Sequence, residues 1–295
     1  MKKAVVKPPD AKPELDKIKR VYRAAVDTIK RLDDITKQKK SYKEIFSADA
    51  IGLRGKLRDY CERLMFYDPV EYGRKAEELL WRKVFYDIIQ LMKQNKKHMR
   101  PGNSMQTAFR THLAAAEGFY HHLIFKLQKE YHVDVCGLVD CHLLPEPRSH
   151  KKHHPQKRSD IDPAVHEWAM RACHRCLVYL GDLARYAQDI EGLKSVILSE
   201  RCYYQAIALY PTYGMPHNQL GTLVGTKHYN CEAAYHYMRC LLCTNIFEGA
   251  SGNLQRLFEK NRKRYEELSK VSPRDLPPEL QRYVIYLKLH CYIQY

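Results

Sequence analysis

From Glu14 onward, apolar residues recur as Leu15, Ile18, Val21, Tyr22, Ala25, Val26, Ile29, Leu32 and Ile35. Steps of three and four place them on one stripe of an amphipathic helix, so a first helix is expected here. It should end in the basic run Lys37, Lys39, Lys40, which suits the negative end of its dipole. A second helix is expected from Ser47 to Tyr67, weakened in its first half by Gly52 and Gly55. Pro69, harmless in a first turn where its missing N–H is no loss, opens a third through VEYGRKAEELLWRKVFYDIIQLMKQNKKH. Pro101-Gly102 breaks the chain, and Asn103 or Ser104 can cap a fourth reaching about Tyr131.

Residues 133–162 change character, collecting Pro145, Pro147, Pro155 and the polar run SHKKHHPQKRSD, and read as a mobile basic loop. Asp162-Pro163 then supplies an N-cap and a first-turn proline for a helix through EWAMRACHRCLVYLGDLARYAQ. Residues 1–13, with three prolines among lysines, read as a disordered basic lead-in. The domain is expected over residues 14–270. Residues 271–295 look like the start of a following helical region, cut from a longer polypeptide.

Between Cys173 and Phe247 the pattern repeats. A tetratricopeptide unit has two antiparallel helices in about 34 residues, with Leu-Gly near positions seven and eight and small residues near twenty and twenty-seven. An aromatic lies near twenty-four and Pro near thirty-two. With Gly221 at position eight, Ala233, Tyr237 and Cys240 fall at twenty, twenty-four and twenty-seven. Counting back from Pro211 puts Ala206, Tyr203 and Ser199 at the matching positions of a preceding unit. Its Leu180-Gly181 lies six residues too far upstream, which predicts a longer internal loop around Asp189 to Lys194.

Composition narrows the function classes. The chain has 295 residues with 45% apolar, enough to bury a core, and no run near the roughly 20 apolar residues that span a bilayer. Ten cysteines and no signal-like stretch point to reduced thiols in the cytosol or nucleus. A net charge of +16 favours an anionic partner. No Gly-rich phosphate loop, H-E-x-x-H or nucleophile elbow is present, so an enzyme is not expected.

Three segments, DPVEYGRKAEELLWRKVFYDIIQLMKQNKKH, ACHRCLVYLGDLARY and GMPHNQLGTLVGTKHYNCEAAYHYMRC, resemble the amino-terminal domain of the Est-one/Smg-seven family of telomerase-associated and nonsense-mediated mRNA decay proteins. The resemblance runs over roughly residues 15 to 270. It implies an all-α, 14-3-3-like array of antiparallel helices with tetratricopeptide-type hairpins, roughly nine helices plus the start of a further layer. It also implies a concave phosphopeptide pocket in which Arg185 and Tyr186 are the Arg-Tyr pair and Asn218 holds the peptide backbone. A relative's phosphate-facing lysine, five residues after the helix-three Trp, corresponds to Tyr86; Arg82 and Lys83 are neighbours that could partly substitute. The implied partners are Smg-seven as heterodimer, phosphorylated Upf-one and a protein phosphatase, with telomerase or telomeric DNA a further link. The dimer surface is sought as an apolar patch on the convex side of helices one to four.

Two rival readings remain. Cys173-x-x-Cys176 and Cys240-x-x-Cys243 have zinc-ligand spacing, but both lie in helical apolar runs where such a pair marks a buried stripe, so no cofactor is expected. Basic runs Lys93 to Arg100 and Lys151 to Arg158 suit salt-sensitive backbone contact with RNA or DNA.

Overall fold

The computed structural model describes residues 11–37, 41–142, 161–191, 193–225 and 231–292. Most of the expected lead-in and the SHKKHHPQKRSD run lie outside them. The described residues are organised as two compact units, residues 1–136 with 141–176, and residues 137–140 with 177–295.

The first unit holds α1 (Ala11–Thr36), α2 (Ala48–Tyr67), α3, α4 (Ser104–Tyr131) and the first half of α5 (Pro163–Glu191). Here α3 is the continuous helical run Pro69–Gly73, Arg74–Leu79, Leu80–Tyr86 and Asp87–Gln94. Helix α1 begins three residues earlier than its apolar stripe suggests, taking Pro13 into its first turn, where proline costs little. The caps follow the sequence. Ser47 Oγ accepts from Ala50 N at 3.3 Å, Asn103 Oδ1 from Gln106 N at 2.8 Å, and Asp162 Oδ1 from Ala164 N at 2.8 Å.

Helix α3 departs from regular winding. Its stretches Pro69–Gly73 and Leu80–Tyr86 are wound wide, with i→i+5 bonding. The second places Trp81 and Tyr86 one turn apart, and their rings meet at 5.8 Å. Burial of Leu57, Leu64, Met65, Leu80, Ile89 and Leu127 forms this unit's core. Trp168 of α5 lies against Gly73 so closely that a Cβ there would sit 2.3 Å from its Nε1. The same indole packs edge-on to Phe66 and Tyr131. Glu77, 4% exposed by its side chain, receives the Arg175 guanidinium at 2.6 and 2.7 Å, a forked pair joining α3 to α5. The first part of the expected 133–162 loop is packed, with Val133, Val135 and Val139 buried.

The second unit contains the rest of α5, then α6 (Leu193–Leu209), α7 (Met215–Val224), α8 (Cys231–Leu241), α9 (Gly249–Leu268) and α10 (Pro278–Tyr292). The repeat positions behave as the period requires: Ser199, Ala206, Ala233 and Cys240 are all fully buried. A Cβ on Gly181 would lie 2.4 Å from the Tyr203 ring, and one on Gly221 2.6 Å from the Tyr237 ring. Position eight thus meets position twenty-four in both units of the repeat. The expected loop from Asp189 to Lys194 is not a loop, since α5 is helical to Glu191 and α6 begins at Leu193. The six extra residues lengthen the hairpin by continuing its helices, whose backbone hydrogen bonds a loop would forfeit. Between α7 and its neighbours, Gly214 N donates to Asn245 O and Asn245 N to Thr212 O, each at 2.9 Å.

Candidate anion-recognition site

Arg185 and Asp182 lie three residues apart on α5, hence on one face, and pair at 2.9 Å with side chains 16% and 9% exposed. Asp182 Oδ1 also accepts from the Tyr203 hydroxyl at 2.7 Å and from Gln219 Nε2 at 2.6 Å. Three elements, α5, α6 and α7, therefore converge on one carboxylate oxygen. The Arg185 guanidinium is further fixed by Nε to Tyr203 Oη at 3.3 Å and Nη2 to Tyr186 Oη at 3.3 Å, and it stands over the Tyr186 ring at 4.6 Å. Burial would lower its pKa, but the Asp182 charge and the Tyr203 hydroxyl more than reverse this, so it remains a cation. Burial beside Asp182 likewise pushes the Tyr203 phenol well up, leaving it a donor. Among the described residues, the Arg185 hydrogen bonds run from Nε and Nη2, so protein groups hold that edge of the fork.

Asn218, the neighbour of Gln219, is 4% exposed. Its Oδ1 accepts from Asn253 Nδ2 of α9 at 2.8 Å, and its Nδ2 reaches Gln219 Oε1 only at 3.5 Å, the outer limit for a hydrogen bond. Asn253 Oδ1 in turn accepts from the exposed Arg256. A single polar chain thus runs Arg185, Asp182, Gln219, Asn218, Asn253, Arg256. Of the residues singled out from sequence, it unites Arg185, Tyr186 and Asn218. Asp182 was legible as the acid one turn before Arg185, and Gln219 as the neighbour of Asn218. Asn253 and Arg256 carried no local signal, because their role depends on where α9 packs.

The proposed substitutes for the missing lysine lie in the first unit, and one of them, Lys83, is otherwise engaged. Lys83 Nζ is paired with Asp33 at 2.8 Å and Asp87 at 3.1 Å. Two carboxylates on one ammonium outweigh the desolvation that burial imposes and raise its pKa, so Lys83 ties α1 to α3 and offers no surplus positive charge. Tyr86 is half-buried with its ring tilted against Trp81, while Arg82 is exposed. Burial, reinforced by Glu77, pushes the Cys173 thiol up to about 12, and Cys176 well above its usual value. Among the described residues no three His, Cys, Asp or Glu side chains cluster as a metal site, and no helix is long and apolar enough to cross a membrane.

Comparison with known proteins finds relatives over most of the chain. The family of the telomerase activating protein Est1 matches residues 75–191, and the Est1 DNA/RNA binding domain matches residues 199–294. Nonsense-mediated mRNA decay factor SMG5 of Danio rerio is 47% identical over 275 residues, which are 92% of this chain and 25% of the relative. SMG5 of Homo sapiens is 48% identical over 265 residues, 90% of this chain and 26% of the relative. The chain therefore spans about a quarter of the length of these curated relatives. SMG7 of Arabidopsis thaliana is 34% identical over 216 residues, 69% of this chain and 19% of the relative.

Among solved structures, one of Est1 and Cdc13 superposes with a TM-score of 0.55 at 14% identity, covering 90% of this chain and 53% of that one. The C. elegans SMG5–SMG7 complex gives 0.51 at 17% identity, covering 81% of this chain and 69% of that one. These likenesses establish the fold class, all-α and 14-3-3-like. With two Est1 family matches in tandem and close to half of its residues shared with SMG5, the chain belongs to the family of Est1, SMG5 and SMG7.

Proposed function

We propose that the chain is a non-catalytic interaction domain of a nonsense-mediated mRNA decay adaptor. In this reading it pairs with an SMG7-type relative and engages phosphorylated Upf-one through the polar chain around Arg185. Bringing Upf-one to a protein phosphatase would then promote its dephosphorylation and mRNA turnover, in the cytoplasm with passage through the nucleus. The observation that carries the reading is the Arg185 fork, gripped on one edge by Asp182. A phosphate brings about 1.5 to 2 negative charges and several acceptor oxygens, which suit a fixed guanidinium edge. Asp182 neutralises much of that cation, so a second positive group is required. Arg256, at the far end of the same chain, is the cation this reading assigns to that role, beside Arg82 and Lys83. The test is co-purification of the chain with SMG7 and with Upf-one in phosphorylated and unphosphorylated form. Capture of both Upf-one forms equally would refute the phosphate-dependent part.

A second reading rests on the exposed run Lys260, Arg262, Lys263 and Arg264 on α9, within the segment that matches the Est1 DNA/RNA binding domain. Such a face would hold RNA or telomeric DNA by backbone phosphates, with affinity falling steeply as salt rises. Oligonucleotide affinity that stays flat from 50 to about 200 mM salt would exclude it.

A further inference from the structure

Arg54 occupies an unusual place in α2. The buried stripe of that helix runs Ala50, Leu53, Arg54, Leu57, Cys61, Leu64 and Met65, so a guanidinium stands in the phase of the core. Arg54 is only 6% exposed, its Nη1 is buried, and no described residue accepts a hydrogen bond from it. Leaving a buried charge without a counter-ion costs several kcal/mol in general, and burial pulls the Arg54 pKa down to about 10. Asp33 and Asp87 line a smaller cavity that Arg54 also borders, but both are paired with Lys83, so a group this expensive to bury and unpartnered at Nη1 points to a ligand.

The cavity it borders supplies the rest of the argument. A recess of about 320 Å³ opens between α2, α3 and α4, walled by Phe46, Ile51, Val84, Phe85, Ala108 and Ala115. That is at the lower end of the roughly 300–1,000 Å³ typical of small-molecule pockets. Arg54 and Arg58 are the charged residues in its lining, and no carboxylate is among them. Arg58 is tied to Asp59 at 3.2 Å and half-exposed, so Arg54 is the uncompensated cation. His112 completes the wall. Its Nε2 lies 3.2 Å from the Phe85 carbonyl, which can only accept, so Nε2 carries the proton. Burial and the neighbouring Arg54 charge hold its pKa down to about 4, and the ring stays neutral at physiological pH. The wall therefore offers apolar surface, one buried cation and no competing anion.

We propose that this recess is a binding site for a carboxylate borne on a compact apolar body, with Arg54 as the counter-ion. The carboxylate could belong to a free organic acid or to the carboxy-terminal residue of a peptide. Both present the same two oxygens to a guanidinium and the same apolar body to Phe46, Ile51 and Phe85. The site is independent of the Arg185 chain, which lies in the other unit.

The 295-residue chain would be titrated with 4-phenylbutyrate and with 4-phenylbutanol, and with the peptide Gly-Gly-Phe-Leu bearing a free or an amidated carboxy terminus. A charge-assisted bond is worth about 1.5–3 kcal/mol, so each acid should bind roughly ten- to a hundredfold more tightly than its neutral counterpart. The tighter of the two acids names the source. Arg54→Met keeps the length of the side chain and removes the buried charge. It should abolish that preference while leaving the melting temperature unchanged or higher, an outcome that a purely structural arginine would not give. Ala115→Phe, which fills the recess from an exposed helix position, should weaken both acids without unfolding the chain. Equal binding of acids and neutral analogues, no binding of any of the four, or an acid preference surviving in Arg54→Met would overturn the assignment.

Discussion

Asp182 accepts the Arg185 guanidinium at 2.9 Å on the same oxygen that takes the Tyr203 hydroxyl at 2.7 Å. One carboxylate thereby decides where the arginine points and how much positive charge it shows. Asp182→Asn keeps the shape but removes the charge and half of the acceptor capacity. Three donors then compete for one amide oxygen in a buried setting, so stability should fall by about 1–3 kcal/mol. Urea denaturation measures this directly, and a midpoint equal to that of the wild type would show that the convergence has no structural weight.

The repeat makes opposite predictions for two helical glycines. A Cβ on Gly221 would come 2.6 Å from the Tyr237 ring, whereas one on Gly52 meets nothing within 4 Å. Gly221→Ala should destabilise by about 1–3 kcal/mol through overpacking. Gly52→Ala should stabilise by roughly 0.5–1 kcal/mol, because alanine loses less backbone entropy in a helix. The two unfolding midpoints should move in opposite directions.

The Glu77–Arg175 fork is a bidentate long-range tie in the first unit. Glu77→Ala removes the buried carboxylate that both arms of the Arg175 fork bind, and should cost about 3–5 kcal/mol. The exposed pair Lys75–Glu71, at 3.3 Å, should matter far less, with Glu71→Ala within about 1 kcal/mol of wild type. Equal effects in the two variants would mean that burial adds nothing to the inner pair.

Acid should weaken the fold through its buried histidines. His112, His174 and His217 have their pKa values pulled from 6.5 to about 4, chiefly by burial and then by neighbouring positive charge. The unfolded chain takes up these protons below pH 6.5 while the folded chain resists until about pH 4, so stability is lost as pH falls through that window. Each pH unit costs at most about 1.4 kcal/mol per histidine. Unfolding midpoints at pH 7 and pH 5 should differ, and His217→Gln should shrink the difference.

Periodicity made the helices legible because each stripe is a local property of its own segment. The caps Ser47, Asn103 and Asp162 and the contacts of Gly181 and Gly221 also follow from short spacings. What escaped the sequence depends on distant partners. Lys83 read as a candidate phosphate ligand because Asp33, fifty positions away, is invisible to local counting. Arg54 was legible in part, since it falls on the buried phase of α2, yet only the packing of α3 and α4 reveals that its Nη1 finds no acceptor and that the recess it borders holds no carboxylate. The wide turn at Leu80–Tyr86 could not be read either, because the backbone switches to i→i+5 bonding where tertiary packing demands it.

Calorimetric titration of a peptide containing phosphoserine-glutamine, and of its unphosphorylated form, against wild type and Arg185→Gln tests the central claim most directly. The account predicts that wild type prefers the phosphorylated peptide by at least about tenfold, the worth of one charge-assisted bond, and that Arg185→Gln erases the preference while remaining folded. Equal affinity of wild type for the two peptides, or a preference unchanged in Arg185→Gln, would contradict it.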